Sequence, residues 1–371
     1  MSAPVAVYVH TPFCPSKCGY CDFNSYAMTG EIVERTVQAI RSEIVRSPWR
    51  GRPAKTIFFG GGTPTFLSEA QITGLLQVVL EVHPPIEGCE ITSEGNPGTV
   101  DIPKFEAMRA AGFNRISLGA QSFQQEDLIR LGRVHEASHV GRAVAAARRA
   151  GFTNLNLDLM FALPGQSLGS WRRNIETALA LEPEHLSLYC LTIEPNTRYY
   201  KLQVRGMLDL PSDEVQVAMY DAAVTLAAER GYAQYEISNF AEPGTECAHN
   251  LCYWRGEEYA GYGPGAVGCM SDGDARVRYT VLKQPERYCE AVEGGHPTAF
   301  EHERLTPEME RFERIMLGLR LNEGMDLRTV EIAPSALRKL SERGWVAISD
   351  TRAVLTPEGR HFCSAACAEL A

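Results

Sequence analysis

The chain has 371 residues, 44% of them apolar and 22% charged, which is ample for a large globular core in one or two domains. Its 36 Lys and Arg face 46 Asp and Glu, a formal net charge of −10, so it lacks the overall basic footprint of a nucleic-acid-binding protein. No apolar run approaches the roughly 18 residues of a membrane span, and the first residues carry no basic and apolar signal pattern. The expectation is a cytoplasmic protein with no membrane span, for which peripheral membrane contact is allowed.

From Val5 onward, short β-branched or aromatic runs alternate with longer amphipathic stretches. Strands are predicted at Val5–His10, Thr56–Phe59, Glu90–Ser93, Arg115–Leu118, Leu155–Leu159 and His185–Leu191. Between them helices are predicted at Ile32–Val45, Ser68–His83, Ile102–Ala111, Ala137–Ala150 and Trp171–Leu181. Ser68 with Gln71 spells a capping box, which marks one helix start. Strands alternating with helices imply right-handed βαβ units and a parallel sheet. These strands are too few for a closed (β/α)8 barrel, so the expected fold class is α/β, an open partial (β/α)6 barrel with its ligand site at the carboxyl ends of the strands. A further helix at Ser212–Arg230 leads to a glycine-dense segment, Tyr259–Gly268, and a turn at Asp272–Ala275. From Arg276 the texture becomes short helical patterns with one hairpin-like stretch at Trp345–Leu355. The expected division is therefore 1–275, a barrel, and 276–371, a small, mainly helical domain of winged-helix type.

Three of the eleven cysteines fall within one short segment, His10-Thr-Pro-Phe-Cys14-Pro-Ser-Lys-Cys18-Gly-Tyr-Cys21-Asp-Phe23. Thiolates at this spacing can converge on one cluster from a single loop. Iron–sulfur clusters usually take four protein thiolates. A set of three would leave one iron open, as catalytic metal sites keep an open position. Two other readings of the residues stand beside this one: a Cys3His zinc site with His10 as fourth ligand, and three unliganded thiols. Downstream, Gly60-Gly61-Gly62-Thr63-Pro64 closes the second predicted strand, where glycines let backbone groups approach a ligand closely.

Cys-x3-Cys-x2-Cys after a first strand, followed by Gly-Gly-Gly-Thr-Pro after the second, resembles the radical S-adenosylmethionine (SAM) superfamily, and within it the coproporphyrinogen oxidase-like HemN/HemW group. The resemblance runs over nearly the whole chain. It implies a [4Fe–4S] cluster on Cys14, Cys18 and Cys21, with SAM on the open iron and its methionine part on the loop at Gly61, Gly62 and Thr63. Glu94, in Ser-Glu-Gly-Asn-Pro, would meet the SAM ammonium or ribose. Tyr8, Thr192 and Val267 match other positions beside this SAM. Gln121, Arg133 and Asp158 match contacts to a second SAM, so the resemblance allows one or two molecules. Asp158 also draws notice by itself, because a carboxylate in an otherwise apolar strand is costly unless partnered.

Two features divide the branches of the group. The oxidases carry a further cysteine two residues after the third, where this chain has Phe23. Conversely, His249-Asn250-Leu-Cys252-Tyr253-Trp254 matches the His-Asn-x-x-Tyr-Trp motif of the haem-trafficking branch. Imidazole can ligate haem iron while aromatic rings pack on the macrocycle, which makes His249 the candidate haem ligand; the structural alternative is a hydrogen-bonded histidine over a packed Tyr–Trp core. The resemblance implies a haem chaperone delivering haem to acceptor haemoproteins such as respiratory enzymes, with a low-potential electron donor as partner if SAM is cleaved. The alternatives are an oxygen-independent coproporphyrinogen III dehydrogenase and a HemN-like radical SAM methyltransferase.

Overall fold

The computed structural model describes residues 3–371. The predicted alternation is present: β1 (Val5–Thr11), α1 (Glu31–Val45), β2 (Ala54–Gly61), α2 (Glu69–Val82), β3 (Pro85–Gly95) and α3 (Ile102–Ala111). It continues with β4 (Arg115–Gln121), α4 (Gln125–Leu131), α5 (Ala137–Arg149), β5 (Leu155–Phe161), α6 (Leu168–Leu179) and β6 (His185–Cys190). β1 to β6 are neighbours in sequence order, every pair parallel. The capping box at the start of α2 forms in both directions, Gln71 N to Ser68 Oγ and Ser68 N to Gln71 Oε1.

The period of two along each strand separates two faces. Val7 and Val9, Ile57 and Phe59, Ile116 and Leu118, Leu157 and Leu159, and Leu186 and Leu188 are buried in the main core. Helix α1 offers that core Val33, Val37, Ile40 and Ile44 at helical spacing. The alternate strand positions carry Tyr8 and His10, Glu94, Arg115 and Ser117, Asn156 and Asp158, and His185 and Ser187. These polar groups bond to one another along and across strands: Asn156 Nδ2 donates to Ser117 Oγ at 2.7 Å and to Asp158 Oδ1 at 2.8 Å, and Ser117 Oγ donates to Asp158 Oδ2 at 3.1 Å. An apolar face under the helices and a polar, hydrogen-bonded lumen follow from the alternation.

After β6 come α7 (Arg198–Val204), α8 (Asp213–Glu229), β7 (Ala233–Gln234), β8 (Asn239–Ala241), α9 (Ala248–Trp254) and β9 (Tyr259–Tyr262). Then follow β10 (Val267–Asp272), β11 (Ala275–Val281), α10 (Pro285–Glu293) and β12 (Ala299–Arg304). The sheet has the order β12-β11-β10-β9-β1-β2-β3-β4-β5-β6-β8-β7 and its end strands do not pair, so the barrel is open as expected. The glycine-dense segment supplies β9, parallel to β1, and the start of β10.

The turn after Asp272 is present, but it joins β10 to β11 in an antiparallel hairpin, and β12 pairs with β11. The main sheet thus continues past residue 275 to Arg304. The separate apolar cluster of the C-terminal part, including Ile315, Leu319, Leu340, Val346, Leu355 and Leu370, lies wholly beyond it. That part contains α11 (Pro307–Gly318), β13 (Met325–Asp326), α12 (Pro334–Glu342), β14 (Val346–Ile348), β15 (Arg352–Leu355), α13 (Pro357–His361) and α14 (Cys363–Leu370). The expected hairpin is β14–β15, with Val346 opposite Leu355. Arg320 grips the fully buried Glu236 with two nitrogens, at 2.8 and 3.2 Å, and so ties the helical part to the sheet part. Among the described residues no helix is long and apolar enough to cross a membrane.

Candidate functional site

The cysteine loop leaves the carboxyl end of β1 and is closed at its base by backbone bonds, Cys14 N to Tyr26 O at 3.0 Å and Tyr26 N to Pro12 O at 2.7 Å. Inside the loop the Lys17 ammonium donates to Phe23 O (2.6 Å), Ser25 O (3.1 Å) and Ser25 Oγ (3.2 Å). Outside it, Gly19 N donates to Leu131 O at the end of α4, and Tyr199 N in α7 donates to Gly19 O at 3.0 Å. Lys17 and both supporting helices escaped the sequence reading. Only the lysine had a visible signal, a lone cation between two cysteines.

Cys14, Cys18 and Cys21 are free, half-buried thiols. They line one cavity of about 120 Å³ together with Gly61, Gly62, Thr63, Glu94, Gln121, Arg133 and Asp158. Tyr8 and Val267 line an adjoining space of about 350 Å³ that shares Gly61 and Glu94 with the first. Thr192 does not join this group; it lies exposed beyond the end of β6.

The glycines are dictated by crowding. Gly61 has φ +107°, and a Cβ there would come within 2.4 Å of the His10 ring. A Cβ on Gly62 would stand 2.6 Å from Phe13 O, in backbone that cannot swing aside. Close packing holds Gly62 N on Thr11 O and Thr63 N on Phe13 O, both at 2.8 Å, and leaves the Thr63 hydroxyl 3.5 Å from Cys14 Sγ. Gln121 sits at φ +64° where β4 slips register against β5. Such non-glycine left-handed backbone concentrates at ligand-binding sites.

The cavity is electrostatically unfinished. Burial, and then the charge of Asp158, push the Glu94 carboxyl up to about 8, although Gly61 N donates to it at 3.3 Å. Burial likewise raises Asp158 against its bonds from Asn156 and Ser117. Two carboxyls raised by burial and facing one space favour a positively charged ligand beside them. Arg133 donates to Gly119 O at 2.7 Å and to Cys18 Sγ at 3.8 Å, but its buried Nε has no partner. A buried donor without an acceptor is costly, and this one belongs to a residue that lines the cysteine cavity. Burial also holds the Cys14 and Cys21 thiols above their usual range, so they need metal to become thiolates.

These residues fit an iron–sulfur cluster with a cationic amino-acid ligand. Among the described residues no group of three or more His, Cys, Asp or Glu is placed to hold a metal ion as it stands. The Cys3His zinc alternative needs His10. Its Nε2–H donates to Asn24 O at 2.8 Å and its Nδ1 accepts from Tyr8 OH at 3.0 Å. Burial lowers the ring to about 4, so it is the neutral tautomer with no nitrogen left for a metal.

His249 is packed and hydrogen-bonded in this structure. It lies on α9 with its ring stacked on Phe58 at 4.9 Å and on Tyr8 at 6.3 Å, and it is 1% exposed. Nδ1 bonds Thr56 Oγ1 at 2.8 Å and Nε2 bonds Tyr253 OH at 3.1 Å. Burial lowers the ring to about 3. The expected haem ligand therefore presents no free nitrogen in this structure, because both are engaged inside an aromatic stack. Of its motif, Tyr253 reaches the space beside Tyr8. Cys247 and Cys252 are buried thiols, raised to about 12 and about 11 by burial.

Comparison with known proteins agrees with this geometry. The radical SAM superfamily matches residues 8–178 and the HemN C-terminal domain matches residues 305–362. The haem chaperone HemW of Bacillus subtilis is 38% identical over 368 residues, covering 96% of each chain. HemW of Escherichia coli is 42% identical over 291 residues, covering 77% of this chain and 75% of its own. The solved coproporphyrinogen III oxidase HemN of Escherichia coli superposes with a TM-score of 0.84 over 99% of this chain and 90% of its own. At 24% identity that match speaks for the fold.

Proposed function

The chain belongs to the radical SAM superfamily, in the group of the haem chaperone HemW, and on that premise we propose that it binds a [4Fe–4S] cluster, SAM and haem and passes the haem to acceptor haemoproteins such as respiratory enzymes. The observation that carries the cofactor part is the single cavity where three free thiols, a glycine loop, two half-buried carboxyls and an unmet guanidinium nitrogen converge. Cys14, Cys18 and Cys21 would hold three irons. Gly61, Gly62 and Thr63 bring backbone groups against the SAM methionine portion, and Glu94 receives its ammonium. Asp158, Gln121 and Arg133 border the same space and fix the orientation of what binds there. Bound together, cluster and SAM are capable of electron transfer and radical chemistry, for which a low-potential donor would be the partner.

The chaperone part rests on the full-length likeness to the HemW relatives and on Phe23, which is 65% exposed where the oxidases have a further cysteine. The test is anaerobic reconstitution with iron and sulfide, then haem titration, transfer to an apo-haemoprotein, and a parallel coproporphyrinogen assay. Haem binding and transfer without porphyrinogen turnover support the proposal. Turnover of coproporphyrinogen, or no haem binding, overturns it.

A further inference from the structure

A second cavity, of about 520 Å³, lies between the carboxyl end of α1 and strands β9 to β12 and has no lining residue in common with the cysteine cavity or the space beside Tyr8. We propose that this cavity is where the haem cargo sits, with His302 as its iron ligand and His296 at the rim completing the donor pair. The inference rests on the haem-chaperone reading above and adds to it the place of binding.

The chain has nine histidines. His10, His83, His185 and His249 have both ring nitrogens in hydrogen bonds. His135 is 1% exposed with Nε2 on Ala120 O, which leaves no room for a macrocycle at its ring. His139 bonds the Glu136 backbone N–H and His361 pairs with Asp221. His296 and His302 remain: exposed, with no ring hydrogen bond to any described residue, and lining one cavity. Neutral imidazole nitrogen is the common protein donor to haem iron.

The walls suit a flat apolar ring. Trp49 and Tyr279 stack at 5.1 Å with 22° between their planes and both line the space. In the β11–β12 ladder His302 lies directly opposite Tyr279, so its side chain leaves the sheet on the same face as that stacked pair. The volume falls within the roughly 300–1,000 Å³ of sites for ligands of this size. Arg46 at the lining offers a cation to peripheral carboxylates. The buried Glu43 carboxyl is already served by Gly263 N at 2.7 Å, Tyr288 OH at 2.7 Å and Thr298, so it asks nothing of the ligand.

The test is haemin titration of the reconstituted protein, followed in the Soret band, for the wild type, His302→Ala, His296→Ala with His302→Ala, and Ala299→Trp, which fills the cavity from β12. Iron content and thermal melting of each variant are measured alongside. Expected are at least a tenfold weaker affinity and a shifted Soret maximum for His302→Ala, a greater loss for the double variant, and loss of binding for Ala299→Trp, with iron content unchanged. Wild-type affinity and spectrum in the double variant would overturn the site while leaving the chaperone reading intact. Absence of haem binding by the wild type would overturn that reading itself. If Ala299→Trp melts early, the two exposed histidine changes still decide the matter.

Discussion

The cysteine cavity and the His249 segment meet at Tyr8, which borders the first and stacks on the second. They differ in one physical respect. Around the cysteines lie free thiols, a Glu94 carboxyl raised by burial and by the charge of Asp158, an Asp158 carboxyl raised by burial, and Arg133 Nε without an acceptor. Around His249 each ring nitrogen has a partner and the ring is packed on both sides by aromatics. The first region leaves a donor and free thiols unmatched, whereas the His249 ring has its own partners, although Trp254 Nε1 in the same segment is buried without one. Motif spelling alone does not separate the two.

The sharpest way to break this contrast is Gly62→Ala. Its added carbon has no space against Phe13 O; the substitution should abolish cluster loading and lower stability by about 1–3 kcal/mol. Normal iron content in that variant would mean the loop is not held as described. Next, His249→Ala should destabilise the fold by about 2–3 kcal/mol, because it leaves a cavity and strands the Thr56 and Tyr253 hydroxyls. Iron content and haem affinity should stay as in the wild type; a selective loss of haem with an unchanged melting temperature would restore the ligand role of His249.

A subtler probe is pH. Below about pH 8 the Glu94 carboxyl carries a proton, which a cationic ligand must displace, so affinity for SAM should rise with pH by up to about tenfold per unit and level off above that value. Calorimetry of wild type and Glu94→Gln would check it: the variant should bind weakly with a flat profile, and identical slopes would remove Glu94 from the site. The smallest effect belongs to Lys17→Met. Its three bonds to the loop lie at the exposed edge, so the cluster should assemble but be lost to a chelator a few-fold faster. An unchanged rate would show that the closed base of the loop suffices.

Much of the contrast's first half could be read before any coordinates. The six parallel strands lie where alternation put them, and the glycine loop, Glu94 and Gln121 reach the cavity from the carboxyl ends of their strands, with Asp158 on β5 and Arg133 just after α4. The rest depends on tertiary contacts that leave no periodic trace. Helices α4 and α7 have seven residues each, too short for a helical pattern, and each makes a backbone bond to Gly19. The pair β11–β12 was missed because its residues are half-exposed on both faces, which hides the period of two. Thr192 stands beyond the end of its strand and outside the cavity. For His249, sequence supplied two readings, and its bonds to Thr56 and Tyr253 are tertiary contacts that the motif does not spell out.

The most direct test of the account is the iron and sulfide content per chain after anaerobic reconstitution of the wild type, Cys14→Ser, Cys18→Ser, Cys21→Ser and His249→Ala. The account predicts about four irons and four sulfides in the wild type and in His249→Ala, and their loss in each cysteine variant with the circular dichroism of the sheet unchanged. Full iron in any cysteine variant, or a single metal ion per wild-type chain, would contradict it.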